Sequence, residues 1–187
     1  MPQDIPPDDL FLAVLYADNK SAIKGKTWLQ KIIYVISKSL KLSGFEFKPF
    51  NFGACSEEVI ELKEMYINIG YITEDSQGIR LSPQAFEDAE AIWNKLDERT
   101  RSYLNNIKRF LNELTEEELI AYTYSQWPED ASNSLIKESF LKNRVRIAIN
   151  LFKKGKISLE RGAIIAGMSI RDFMKTLSNR KIPVIED

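Results

Sequence analysis

The chain has 187 residues, 44% hydrophobic and 28% charged, with 26 Lys and Arg against 27 Asp and Glu for a formal net charge of −1. Such a composition belongs to a folded globular protein, long enough for one domain with a substantial core or for two small ones, and two small ones fit better. A single cysteine and the absence of histidine exclude an internal disulfide, a Cys/His zinc set, Ser-His-Asp and Cys-His nucleophiles, and imidazole acid–base chemistry.

Phosphate-cradling patterns are missing as well. Gly25-Lys26-Thr27 has the tail of a P-loop, but Lys20 stands where its first glycine is required, and no G-x-G-x-x-G occurs. The expectation is a non-enzymatic protein with no catalytic residue, no cofactor and no metal. No apolar run approaches the roughly 20 residues that span a bilayer. The opening Met1-Pro2-Gln3-Asp4-Ile5-Pro6-Pro7-Asp8-Asp9 is acidic and proline-rich where a secretory signal is basic and then apolar. A cytoplasmic protein without a membrane partner is expected.

In chain order, Pro6-Pro7-Asp8-Asp9 starts a helix of about three turns through Leu10 to Tyr16. Thr27 begins a second, where Trp28, Leu29, Ile32, Ile33, Val35 and Ile36 form a wide apolar face and Gly44 stops the run. Phe45 to Phe52 alternates aromatic residues around Pro49, the pattern of a short edge strand interrupted by the proline. Ser56 caps a third helix from Glu57 to Asn68, with Gly70 at its C′ position. Residues 71–73 and 79–81, joined by the polar turn Glu74 to Gly78, make a two-stranded hairpin. Three helices followed by a hairpin is the order of a winged helix.

Ser82-Pro83 starts a further helix through Leu96, and Glu98 to Glu113 is another, with Trp93, Leu96, Tyr103, Leu104, Ile107, Phe110 and Leu111 along one packing side. Leu114 to Leu119 restarts a short helix with its acids in the first turn, where the helix dipole favours them. Tyr122, Tyr124, Trp127 and Pro128 close it, and Glu129 to Ser134 reads as the linker. The expected domains are therefore 1–128, winged-helix-like with added helices, and 135–187, a basic helical unit. The fold class is mainly α with a small β-hairpin.

The last forty or so residues are the most distinctive. Ser158 and Ser169 each stand at a helix start, Gly167 between them can take the positive φ that ends the first helix, and small Ala163 and Ala166 allow a close crossing. Ile157, Leu159, Ile165, Met168, Phe173 and Leu177 supply the small core of a helix-turn-helix. From Lys137 to Lys181, twelve Lys and Arg stand against three Asp and Glu, a local balance of +9. A basic segment on an acidic body is an electrostatic footprint for a polyanion, and DNA is the expected partner.

Helix chemistry then separates the two parts. The third helix, which would enter the major groove in a DNA-binding winged helix, carries Glu57, Glu58, Glu61 and Glu64 against Lys63, and the hairpin tip carries Glu74 and Asp75. Phosphates would repel both. On the second C-terminal helix Phe173, Met174 and Leu177 point inward, leaving Ser169, Arg171, Lys175 and Thr176 outward with Arg180 past the end. Arg171 is the candidate for a base edge and Lys153, Lys154 and Lys156 are candidates for phosphates. Asp172 can accept from cytosine or support its own helix start.

The run from about Arg146 to Ile185, carrying Lys154-Gly155-Lys156-Ile157-Ser158-Leu159, Ala163, Ala166-Gly167-Met168-Ser169, Phe173 and Ile182-Pro183-Val184, resembles a family of small prokaryotic antitoxin-like proteins with a predicted helix-turn-helix, often found beside PIN-domain toxins. Two positions depart from it. Gly162 stands where the family favours alanine, which would loosen the helix by ~1 kcal/mol. Ile164 stands where the family favours an acid, which implies a packed partner surface.

Gly25 to Tyr34, Phe50-Asn51-Phe52-Gly53, Ser56-Glu57-Glu58-Val59 and Gly70-Tyr71-Ile72 are similar to the Panacea or SocA-like antitoxin-associated domains, although Phe52-Gly53-Ala54 lacks their proline. That resemblance implies an N-terminal domain that meets a protein partner such as a toxin or an adaptor. The resulting expectation is a prokaryotic DNA-binding regulator or antitoxin, with a toxin and a homodimer as possible partners. Its rival is a protein-interaction module in which the basic tail docks on an acidic partner without nucleic acid, favoured by Ile164 and the Pro183-Val184-Ile185 tail. A hydrolase built on Glu116, Glu117 and Glu118 or on Glu57, Glu58 and Glu61 is disfavoured, because adjacent acids spread around a helix and do not converge on a metal.

Overall fold

The computed structural model describes residues 5–48, 53–131 and 137–184. The chain is mostly helical with one small antiparallel hairpin. α1 (Pro7–Lys20) opens with Pro7 in its first turn, where no N–H is needed, and with Asp8 and Asp9 beside it. Leu10 to Leu15 are buried without a break, so α1 is enclosed on all sides and forms the centre of the molecule. α2 (Lys26–Leu40) likewise buries every residue from Leu29 to Ser37.

Around these two lie α3 (Glu57–Asn68), the strands β1 (Ile72–Asp75) and β2 (Gly78–Leu81), α4 (Phe86–Lys95) and α5 (Glu98–Glu113). α4 and α5 pack on α1, and α5 also reaches α2. The strands pair with Ile72 opposite Leu81 and Asp75 opposite Gly78. Ile23 and Ile79 exchange two backbone hydrogen bonds of 2.8 Å, which sew the hairpin to the turn after α1. Gly78 is required at this seam. Its φ is +116°, and a Cβ there would stand 2.3 Å from the Ile23 carbonyl oxygen.

α1 ends in an unusual way. Ala17, Asp18 and Asn19 leave helical dihedrals, and Asp18, Asn19 and Lys20 all take positive φ of 52–59°, a conformation that costs free energy for residues other than glycine. α5 holds the turn in place. The wholly buried Lys108 ammonium donates to the carbonyls of Leu15 and Ala17 at 2.8 Å each, Asn105 accepts from the Asp18 N–H at 2.7 Å, and Arg109 pairs with the Asp18 carboxylate at 2.7 Å.

α6 (Glu116–Gln126) opens with a capping box. The Thr115 hydroxyl accepts from the Glu118 N–H while the Glu118 carboxylate accepts from the Thr115 N–H. α6 packs on α2 at one side and on α7 (Lys137–Lys153) and α8 (Leu159–Ala166) at the other, and α9 (Ile170–Asn179) packs on α8. Among the described residues it carries the larger share of the contact between the C-terminal helices and the rest, beside the Lys156–Glu113 pair to α5.

Local details depart from the sequence reading. α2 ends at Leu40 with Lys41 as a left-handed cap at φ +55°, three residues before Gly44, because Lys41 itself turns the chain. The helix expected from Ser82-Pro83 begins as a 3-10 turn, Pro83–Ala85, and becomes α-helical at Phe86. The edge strand expected over 45–52 is, within the described residues, a single antiparallel bridge between Lys48 and Cys55, and Pro49 to Phe52 lie outside those residues. Glu129 to Ala131, expected as linker, complete a 3-10 turn from Pro128; the rest of that stretch, through Ser134, lies outside them, as does Ile185 of the C-terminal tail.

Candidate nucleic-acid interface

Local chemistry sets the geometry of the C-terminal unit. The Ser158 hydroxyl accepts from the Arg161 N–H and starts α8. Gly167, at φ 65° and ψ 43°, ends it. The Gly167 N–H reaches the Ile164 carbonyl and the Met168 N–H reaches the Ala163 carbonyl, the paired bonds of a Schellman turn. One residue later Ser169 accepts from the Asp172 N–H at 3.1 Å and donates to the Asp172 carboxylate at 2.6 Å. Asp172 therefore serves its own helix start.

Ala163, Ile165, Ala166, Phe173 and Leu177 are buried, and the Phe173 ring meets Phe152 of α7 edge-on at 6.1 Å. Gly162 lies under that ring. A Cβ on Gly162 would stand 2.4 Å from Phe173 Cε1, so the glycine is a packing requirement, and the expectation that it merely loosens the helix is corrected. Met174, expected inward, is half-buried, and Ile164 is 55% exposed.

The expected DNA-contacting residues, Thr176 apart, fall into two groups. Ser169, Arg171, Lys175 and Arg180 are exposed on or beside α9, and Lys153 is exposed at the end of α7. Among the described residues no carboxylate pairs with Arg171, Lys175, Arg180 or Lys153. The other group faces α5 and α6. Lys154 donates to Glu118 at 2.6 Å and Lys156 pairs with Glu113. Arg146 joins them, one of its nitrogens donating to both Glu117 oxygens at 2.6 and 2.8 Å. Thr176 is half-buried and its hydroxyl donates to the Asp172 carbonyl at 2.8 Å, so it faces its own helix.

The sequence signal for this second group was available in part. A segment of balance +9 meets Glu113, Glu117 and Glu118 at the junction of α5 and α6, but the pairs span 29 to 43 residues of chain, beyond the reach of any local spacing rule.

The N-terminal part holds a second cluster, within the runs on which the second resemblance rests. Gln30 donates to the Ser56 carbonyl at 2.9 Å and accepts from the Ser56 N–H at 3.0 Å, while Lys31 donates to the Ala54 carbonyl at 2.8 Å. The Leu29-Gln30-Lys31 run thus fastens the segment ahead of α3 to α2. Burial lowers the Lys31 ammonium to about 8. A cavity of about 280 Å³ opens beside it, lined by Thr27, Lys31, Cys55, Val59 and Ile60 among others. α3 presents Glu57, Glu61 and Glu64 to solvent together with exposed Ile60, Met65, Ile67 and Ile69. No helix of the described residues is long and apolar enough to cross a membrane.

A family model described as uncharacterised protein family (UPF0175) matches residues 124–187. The matched segment runs from the last turn of α6 through α9, and it contains the whole run on which the first resemblance rests. No curated protein and no solved structure matches the chain.

Proposed function

We propose that this is a non-enzymatic, cytoplasmic prokaryotic regulator that binds DNA through α8 and α9 acting as a helix-turn-helix, in transcription control or as an antitoxin. The observation that carries this reading is the outward face of α9. Arg171 and Lys175 lie one turn apart on it, exposed and free of carboxylates among the described residues, within a segment of balance +9. On this reading Arg171, in the first turn of α9, meets a guanine edge, and Lys153, Lys175 and Arg180 meet flanking phosphates. The α1–α3 and hairpin order is that of a winged helix. Its acidic third helix is unsuited to a groove, so this part is assigned to a protein partner such as a toxin.

The test is fluorescence anisotropy of the full-length protein with its own upstream DNA across a salt series. Steeply salt-dependent binding supports the reading, and folded protein that binds no DNA at low salt overturns it. A second reading, a protein-docking module without nucleic acid, is favoured by Ile164 and Ile170, which are 55% and 44% exposed at the α8–α9 turn. Co-purification of a stoichiometric partner that is lost on Ile164→Glu with DNA binding absent would select it.

A further inference from the structure

Three of the cations in the basic segment are already occupied. Arg146 and Lys156 reach outward from α7 and the turn after it, and carboxylates of α5 and α6 meet each of them: Glu117 bidentately from one guanidinium nitrogen, Glu113 at the end of α5. Between them Lys154 reaches the Glu118 carboxylate, whose side chain is only 5% exposed. A row of carboxylates at the junction of two helices presents anionic oxygens to a row of cations, the same chemistry a phosphate backbone would offer them.

The three pairs differ in how easily they exchange. Glu118 belongs to the Thr115 capping box and is buried, so its pair with Lys154 is fixed by the fold. Glu113 and Glu117 are 47% and 44% exposed at the side chain. Solvent-exposed pairs are held weakly and are screened by salt, so an incoming phosphate can compete for them.

We propose that Glu113 and Glu117 are intramolecular stand-ins for DNA phosphate, withholding Lys156 and Arg146 from the nucleic acid and setting the affinity of the full chain by competition. The inference rests on the DNA-binding reading and adds regulation to it. In the resting protein the DNA-binding surface is α9 with Lys153. When the outer two carboxylates are displaced or neutralised, the surface widens by two cations on α7 and the turn after it. A ligand or protein that takes Glu113 and Glu117 would therefore tighten DNA binding without touching α9.

The experiment is anisotropy of the full-length protein on a labelled duplex from its own upstream DNA, over a salt series, for wild type, E113Q/E117Q, R146Q/K156Q and the charge control E57Q/E61Q on exposed α3 positions. Folding of each is checked by circular dichroism and urea unfolding. The expected result is that E113Q/E117Q tightens binding at least tenfold and steepens the salt slope by about two units, one per phosphate newly met. R146Q/K156Q in the wild-type background leaves the slope unchanged, because those cations are withheld, and E57Q/E61Q gives a much smaller gain.

Three outcomes overturn the proposal while leaving DNA binding intact. They are equal slopes for wild type and E113Q/E117Q, a lower slope for R146Q/K156Q, and an equal gain from E57Q/E61Q, which would make the effect one of net charge alone. Binding by none of the four folded proteins overturns the DNA-binding reading itself. Should E113Q/E117Q fail to fold, the single variants E113Q and E117Q decide instead, each expected to steepen the slope by about one unit, and unchanged slopes for both overturn the proposal.

Discussion

Gly162 lies directly beneath the ring of Phe173, with room for a hydrogen and none for a methyl group: a Cβ would stand 2.4 Å from Cε1 and 2.8 Å from Cζ. Helix propensity alone favours alanine over glycine by ~1 kcal/mol. Packing opposes it, since forcing a group into a filled core costs about 1–3 kcal/mol. The Phe173 ring is fully buried and meets Phe152 edge-on. Gly162→Ala is therefore expected to lower stability by about 0–2 kcal/mol in urea unfolding, the propensity gain offsetting part of the packing cost. Gly162→Ala combined with Phe173→Leu should recover part of that loss. A stabilising Gly162→Ala would show that the ring yields easily.

Lys108 is the next relationship with a measurable consequence. Burial lowers its ammonium from 10.5 to about 7, with Asp18 opposing the shift. Between those two values the unfolded chain holds a proton there that the folded chain has released. Stability from this group therefore rises with pH from about 7 toward 10.5 and is lost as pH falls through about 7. The neutral amine keeps two N–H donors, so the Leu15 and Ala17 carbonyls stay satisfied on both sides of the transition. Lys108→Met orphans those carbonyls and removes the titration. It is expected to cost about 2 kcal/mol at pH 9 and less at pH 6. Urea unfolding of both proteins across that range checks it, and parallel pH curves would refute it.

How far this architecture can be read from the amino acids depends on the distance over which each cause acts. Ser56, Thr115, Ser158 and Ser169 each cap the next helix through a bond three residues away, and a short-range rule finds them. The hairpin is found as well, although Glu74, Asp75 and Gly78, read as its turn, pair within the strands and leave Ser76 and Gln77 to turn the chain, and Gly167 belongs to the same class. Lys31, Lys63 and Lys108 do not. Sequence reading treats lysine as a solvent residue, yet Lys108 is buried because α5 closes over the end of α1, with its acceptors 91 and 93 residues away. Lys63 is buried against Glu74 of β1 at 2.5 Å. The candidate interface divides the same way. Outward Arg171 and Lys175 follow from helical spacing, whereas the capture of Lys154 and Lys156 by Glu118 and Glu113 requires the docking of α7 and α8 on α6.

That docking changes what Lys154→Ala should do. As a phosphate contact, Lys154 would alter DNA binding and leave stability alone. As the partner of Glu118 it does the reverse. Burial pushes the Glu118 carboxyl up, but Lys154 and the Thr115 bonds outweigh it and hold it below 4.5. The folded carboxyl being depressed, its stability is present above about 4.5 and lost as pH falls through the lower folded value. Removing the ammonium leaves a buried carboxylate uncompensated, at a cost of about 1–2 kcal/mol, less than for a fully buried pair because Lys154 is half exposed. Lys154→Ala should show that loss at pH 7 and a shallower fall in stability below pH 5. Unchanged stability with weakened DNA binding would place Lys154 on the nucleic acid instead.

Arg171 and Lys175 test what α9 does, since neither is held by another side chain among the described residues and neither is buried. Replacing either should leave stability within about 0.5 kcal/mol of wild type, so a binding defect is interpretable without a folding correction. On the DNA-binding reading their positions give them different work. Arg171 sits in the first turn, immediately after the Ser169 cap and the Gly167 turn, where a helix entering a groove by its N-terminal end brings side chains to base edges. Lys175 lies one turn further on, where the same docking would bring it to a phosphate. Arg171→Ala is expected to cost about 1–3 kcal/mol on the specific site and little on unrelated duplex, narrowing the ratio between the two. Lys175→Ala is expected to weaken both alike and to reduce the salt slope by about one unit. Competition titrations with specific and scrambled duplexes separate the two patterns. If both variants lose specific and unrelated binding in the same proportion, α9 lies along the backbone and reads no base.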